Sequence, residues 1–252
     1  MSDITISYKG NDIATMDASG TKTLLTEGKY CEDDITLSYT KPSGGGITAD
    51  DIASSSISGA ITITGDTING GAFWGNENIT SVTGANVTSV GESSLRSLGT
   101  CAISLPKLTT IGTSAFNYTV SDFYFPEVTT LSNTAFSYAG TTGKYLALPA
   151  LTGSLGELFR NNRHTILDLG YVTSLGTRCL YQGYNKTVLI LRASSVVSAS
   201  ATNAITTINS GTTVYVPATL VSSYSSQTNW AATGCTFASL EGSIYEREDW
   251  AA

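Results

Sequence analysis

The chain is short of charge. Of its 252 residues only 13% are Asp, Glu, Lys or Arg, and acidic residues outnumber basic ones 20 to 13, giving a net charge of -7. A protein that grips nucleic acid or anionic lipid through counterion release presents a basic face, so no nucleic acid and no membrane surface is expected as a partner. No run approaches the roughly 18 apolar residues of a membrane-crossing helix. The opening MSDITISYKG has neither the basic nor the apolar region of an export signal. The glycine patterns that cradle nucleotides are missing, and Asp and Glu are too sparse along the middle of the chain to suggest a carboxylate pair for glycoside cleavage. The chain therefore reads as no enzyme and as needing no cofactor. Cys31, Cys101, Cys179 and Cys235 are far apart and form no C-x-x-C pair. They read as separate small hydrophobes rather than as a disulfide framework or metal site.

What is present is Ser, Thr and Gly between short apolar stretches, a balance that favours strands and turns over long helices. Residues 103 to 116 read ISLPKLTTIGTSAF and residues 123 to 136 read FYFPEVTTLSNTAF. Related copies lie at 82 to 95 (VTGANVTSVGESSL), 148 to 159 (LPALTGSLGELF) and 169 to 180 (LGYVTSLGTRCL). With a decayed first copy that ends at Ala72-Phe73, the closing residues Phe73, Leu95, Phe116, Phe136, Phe159 and Leu180 are spaced by 22, 21, 20, 23 and 21 residues, a period in the solenoid range. These six are the expected structural anchors of a stacked apolar column, and Cys179 fills a slot that other copies give to Ala or Leu.

Within a copy, the segment ahead of the proline alternates (Ile103, Leu105; Phe123, Phe125; Leu146, Leu148; Leu167, Leu169; Leu189, Leu191), which predicts a short strand with one face buried. The opposite face carries Ser104, Tyr124, Ala147, Asp168 and Ile190. A turn and a brief helical return then complete one coil. Repeat proteins commonly meet partners on one continuous face, so the candidate ligand-binding residues are Ser104, Tyr124, Tyr145, Asp168 and Ile190, with Lys107, Glu127 and Tyr171 just past the strands. Lys107 and Glu127 hold the same slot in adjacent copies and are expected to face each other across one rung.

The expected organisation is a small all-β module over 1–40, a linker and approach to the repeats over 41–60 that contains KPSGGG, a solenoid over 61–211, and a cap over 212–252 with an amphipathic stretch from Ala218 to Trp230. The fold class is mainly β with short helices: a leucine-rich-repeat solenoid of about six to seven coils behind the front module. Forty residues bury little surface alone, so the module is expected to work through a partner or a homo-oligomer. The single histidine, His164, lies in FRNNRHT between two copies with no triad or metal set around it, and reads as a solvated loop residue. With Arg160 and Arg163 it forms one local basic cluster, open to an acidic glycan or a neighbouring subunit. Glu32, Asp33 and Asp34, and the pair Asp50 and Asp51, lack the alternating ligands of a calcium loop, and no metal site is expected.

The LPxLTxIGxxAF pattern over residues 61–216 resembles the BspA-like class of bacterial leucine-rich repeats, common in surface and adhesion proteins of gut bacteria and their phages. VYVPATLVSSYSSQTNWAA resembles the strand-plus-helix end that closes such arrays. SYKGNDIATMDASGTKTLLTEGKYCEDDITLSY is similar to a short module at the front of structural proteins of phages and prophages of Gram-positive hosts. With no export signal, wall-sorting motif or stalk in the sequence, the resemblance implies a protein of the phage particle surface, released by lysis. It would be a tail fibre, baseplate or capsid decoration component, bound to other virion proteins through the front module and meeting a host cell-surface glycan or protein with its repeats. A bacterial surface adhesin and an intracellular scaffold are the alternative readings.

Overall fold

The structure is a computed structural model. It describes residues 58–252 except 64, 142, 143 and 201, and the backbone strands at 4–8, 11–16, 22–24 and 35–37. The linker KPSGGG, Cys31 and both acidic runs read above lie outside the described residues.

From Gly59 onward the chain winds as a β-solenoid of about eight turns. One face is a ladder of short parallel strands: Gly59–Ile63, Ile79–Thr83 and Ala102–Ser104 pair in one sheet, and Phe123–Tyr124, Tyr145–Ala147, Ile166–Asp168, Val188–Ile190, Thr213–Val216 and Thr236–Ser239 pair in the next. Registers advance coil by coil, as in Leu146 opposite Leu167 and Leu167 opposite Leu189. A second ladder runs through Thr67–Ile68, Ser89–Val90 and Thr110–Ile111, then Thr152–Leu155, Tyr171–Leu175 and Ser198–Ala199. The turn count exceeds six to seven because Thr213–Val216 and Thr236–Ser239 continue the ladder within the segment read as a cap. At the front, Ile35–Leu37 pairs antiparallel with Gly59–Ile63, while Ile4–Tyr8, Asn11–Met16 and Lys22–Leu24 form an antiparallel sheet.

The repeat period places one large apolar side chain per coil at the same height of the core. Phe73, Leu95, Phe116, Phe136, Phe159 and Leu180 are all buried. The rings of Phe116 and Phe136 stack with centroids 5.2 Å apart and planes 4° from parallel, and Phe136 continues onto Phe159 at 6.1 Å. Phe123 and Phe125 close on the Phe116 and Phe136 rings at 5.1 to 6.4 Å. Each such side chain contributes about 1.5 to 3 kcal/mol by leaving water.

The return leg differs from expectation: it is not helical. Residues four apart adopt left-handed backbone, as at Ser93 and Ser97 (φ 54° and 58°), Ser114 and Tyr118 (56° and 63°), Thr134 and Tyr138 (57° and 59°), and Arg178 and Gln182 (59° and 53°). A positive φ on every fourth residue breaks the i to i-4 ladder of an α-helix. The amides bond forward instead, Leu95 N–H to Ala115 O at 3.0 Å and Phe116 N–H to Ala135 O at 3.0 Å. The Gly of the Ile-Gly pair is needed for this close approach, since a Cβ on Gly112 would sit 2.7 Å from backbone atoms of Gly91 and Glu92.

Among the described residues helical structure is confined to one 3-10 turn at Thr202–Ala204 and to the C-terminal segment, where Ala218–Leu220 and the short helices Val221–Ser226 and Thr228–Ala231 close the last coil. Tyr224 and Trp230 are buried there. Val197 N–H donates to Tyr224 Oη, and Trp230 Nε1 donates to Val197 O, both at 2.8 Å. These two bonds satisfy the open end of the Ser/Ala-rich coil.

Because Phe136 lies between two coils and touches four other rings, Phe136→Ala is expected to cost about 3 to 5 kcal/mol through the cavity it leaves. Chemical denaturation measures this, and a loss below about 1 kcal/mol would contradict the stacked spine.

Candidate functional site

The outer face of the strand ladder was the expected ligand surface, and the structure divides it. Ser104, Lys107 and Glu127 are exposed, Tyr124 and Tyr145 are half-buried, and Tyr171 is exposed, while Asp168 and Ile190 are fully buried. The cause is the chain itself. Residues 240–252 fold back over the sheet, so that Leu240 and Tyr245 bury Ile190, with Ile166, Val188, Tyr215 and Trp250 packed around them. The strands there are apolar on both faces because both faces are covered.

Two charged side chains fasten this strap. Asp168 and Arg192 form an ion pair with side chains 0% and 3% exposed, Nη2 lying 2.7 Å from Oδ2 and Nε 3.2 Å from both oxygens. The Asp168 carboxylate also accepts from Gly170 N–H at 3.0 Å and from the Trp250 indole at 2.9 Å. The remaining guanidinium hydrogens reach the strap's backbone, donating to the carbonyls of Glu246 at 3.0 Å and Tyr245 at 2.9 Å. Two of the other expected ligand residues are engaged by the same segment: Tyr145 Oη donates to Ala251 O at 3.1 Å, and Tyr171 Oη donates to Glu248 Oε1. That bond to Glu248, and then burial, holds the Tyr171 proton above the usual phenol range. Tyr124 lies at the strap's border, its phenol raised first by burial and then by the nearby Asp249 and Glu248. The structure thus brings Tyr145, Asp168, Tyr171 and Ile190 together as the seat of the chain's own C-terminal segment.

Lys107 does not form an ion pair with Glu127. Its ammonium turns to the preceding coil and donates to Asn86 Oδ1 at 3.2 Å, because one rung back offers a neutral acceptor at the same slot.

The basic cluster also resolves differently from expectation. Arg163 is exposed and Arg160 half-buried, but His164 is fully buried rather than solvated. Its Nε2 faces the Ser121 carbonyl at 3.0 Å, which can only accept, so the proton sits on Nε2. Nδ1 then accepts from Asn162 Nδ2 at 3.1 Å, and Asn162 Oδ1 accepts from the His164 backbone N–H. The buried Lys186 completes the cluster, donating to Asn162 O and Oδ1 and to His164 O. Three oxygens match the three hydrogens of an ammonium group, while burial works against the charge and pushes its pKa down to about 7. Gly140, at φ +79°, is required beside it: a Cβ there would lie 2.4 Å from the His164 ring. With each ring nitrogen engaged by the protein, His164 serves as a packed polar strut between coils.

Sequence reading overlooked Arg192, Lys186, Asn162, Tyr245 and Trp250. A signal did exist for the first: ILDLG and LILRA each place a lone charge in an otherwise apolar strand context, one coil apart, with opposite signs. The cysteines among the described residues are free, Cys101 and Cys179 buried and Cys235 half-buried. Burial pushes the Cys101 thiol up to about 12, which makes it a poor nucleophile. Among the described residues no group of three or more His, Cys, Asp or Glu is placed to hold a metal ion, and no helix is long and apolar enough to cross a membrane.

Comparisons with family models, with curated proteins and with solved structures find no match to this chain.

Arg192→Ala is expected to destabilise the protein by about 3 to 5 kcal/mol, because it strands the buried Asp168 charge and frees the strap. Denaturant unfolding together with the Trp250 fluorescence environment checks both consequences. For His164, burial lowers the pKa to about 3 against an ordinary 6.5. A depressed folded pKa means that the unfolded chain takes up the proton first, so stability is full above pH 6.5 and falls as the pH drops toward 3. Unfolding temperatures measured across that window should decline, and His164→Gln, which cannot titrate, should show a shallower decline from a lower starting stability.

Proposed function

We propose that this chain is a non-enzymatic structural protein of a phage particle (tail fibre, baseplate or capsid decoration) whose BspA-like leucine-rich repeats display a host-facing surface. The observation that carries the reading is the ladder itself. Coils stacked about 4.8 Å apart set side chains in fixed columns, and the return edge keeps Trp74, Tyr118 and Tyr184 in solvent at 59%, 44% and 52% exposure. Exposed aromatics on a rigid frame offer flat apolar area and polar tips without an ordering cost, which suits recognition.

In this reading residues 1–40 attach the protein to other virion components, the glycine-rich segment after them gives reach, and the repeats face the cell. Attachment in several copies would raise weak contacts through effective concentration. The resemblance of the repeat pattern and of the front segment to phage and surface-protein sequences supports the same assignment.

The experiment is mass spectrometry of density-purified particles from a culture that carries the gene. The protein is expected at a fixed stoichiometry with capsid and tail components. Recovery in the cell-wall fraction alone would overturn the reading in favour of a bacterial adhesin, and recovery in the cytosol alone in favour of a scaffold.

A further inference from the structure

The return edge of the solenoid carries a second regularity, in the two residues that follow each anchor. The first of them runs Trp74, Arg96, Asn117, Ser137, Arg160, Tyr181 down successive coils, and the second Gly75, Ser97, Tyr118, Tyr138, Asn161, Gln182. The columns are locked together by backbone bonds: Ser97 N–H to Asn117 O at 2.8 Å, Tyr118 N–H to Ser137 O at 3.4 Å, Tyr138 N–H to Arg160 O at 3.1 Å and Asn161 N–H to Tyr181 O at 2.8 Å. Within this frame Tyr118 and Tyr138 stack as a fin, centroids 4.6 Å apart and 15° from parallel. The fin's neighbours in its own column, Ser97 and Asn161, are too short to cover its two outer ring faces. Beside those faces, in the adjoining column, stand Arg96, which also lies over the Trp74 ring at 4.9 Å, and Arg160.

The polar atoms at the base of the fin lack partners within the protein. Arg96 Nε, Asn117 Oδ1, Ser137 Oγ and Arg160 Nε, four consecutive members of one column, are buried with no hydrogen bond. Asn117 is 8% exposed and Ser137 is 2% exposed. Buried polar groups in folded proteins are nearly always paired, and four exceptions in a row beside an aromatic pair of which Tyr118 is exposed and Tyr138 half-buried single out this edge. The charge is consistent: Arg96, Arg160, Arg163 and Arg178, four of the chain's six arginines, belong to this edge of an acidic protein. Glu157 lies among them, 3.9 Å from Arg160 and 3.5 Å from Arg178, and Glu77 and Glu92 hold comparable slots on the first two coils, so the cationic stretch is the part of the edge around Arg160, Arg163 and Arg178.

The geometry points to a binding site for an anionic oligosaccharide on this edge, one sugar ring stacked on each outer face of the Tyr118–Tyr138 fin, with acidic substituents on Arg96 and Arg160. From the Ser97 rung to the Asn161 rung is three steps of about 4.8 Å, a span that a chain of two to four sugars covers. Aromatic faces take the apolar C–H side of a sugar, and guanidinium forks take carboxylate or phosphate. This assigns a ligand class and a location to the host-facing surface of the preceding proposal and rests on that reading.

The test is an array of defined oligosaccharides bearing carboxylate, phosphate or sulfate, with neutral chains of equal length, probed with the full chain and with two double variants, Tyr118→Ala/Tyr138→Ala and Arg96→Gln/Arg160→Gln. Anionic members should bind and neutral ones should not, and each double variant should lose roughly tenfold or more in affinity. Circular dichroism and unfolding temperature confirm that the variants fold; single variants at Tyr118 and Arg160 serve if a double one does not. Binding to no anionic member, or binding indifferent to these residues, overturns the site. Adsorption to host cells, measured in parallel, separates the two readings. Adsorption that survives in all variants removes this site and leaves the host-attachment reading standing, whereas residue-dependent glycan binding by a protein absent from particles does the reverse.

Discussion

The structure depends on one constraint: a coil of about twenty residues cannot satisfy its own backbone or bury its own apolar edge, and its successor must do both. The strands bond only to the strands before and after them, and the return leg, with left-handed residues such as Tyr118 and Tyr138, sends its amides forward to the next coil. A non-glycine residue in that conformation costs on the order of 1 to 2 kcal/mol. The cost is offset because the same geometry delivers an inter-coil hydrogen bond and seats Phe116 on Phe136. Backbone pairing and ring stacking are therefore one interaction seen from two sides, and a lesion in either propagates to both neighbours.

The same rule explains where the buried charges are. An outer sheet face left apolar at Ile166, Val188 and Ile190 has to be covered, and the C-terminal strap covers it. A strap without regular structure brings backbone carbonyls with it, and those need donors away from water. Arg192 supplies them, Asp168 neutralises Arg192, and the Trp250 indole takes a remaining carboxylate site. The cluster at His164, Asn162 and Lys186 applies the same logic inside the spine, where the buried carbonyls of Ser121, Phe136, Asn162 and His164 find side-chain donors.

The solenoid consequently has unlike surfaces. Part of the strand face is committed to the chain's own C-terminus, whereas the return edge keeps Trp74, Tyr118, Arg163, Arg178 and Tyr184 exposed. Display on that edge follows from the fold without further ordering, since the side chains project from backbone that is already fixed by the ladder.

The period of about twenty-one residues, the inward alternation of each strand and the identity of the anchors were legible in the sequence because stacking forces like residues into like slots, and a repeated environment leaves a repeated letter. The number of turns was less legible, since terminal coils meet only one neighbour and drift from the pattern. The turned rather than helical return was hidden because Ser, Thr, Tyr, Arg and Gln in left-handed conformation carry no glycine to announce it. The strap, the Asp168–Arg192 pair, the buried His164 and the Tyr118–Tyr138 fin belong to the tertiary structure alone. Each joins residues whose separation obeys no local period, or whose exposure is decided by what else folds against them, and only the three-dimensional arrangement sets those two quantities.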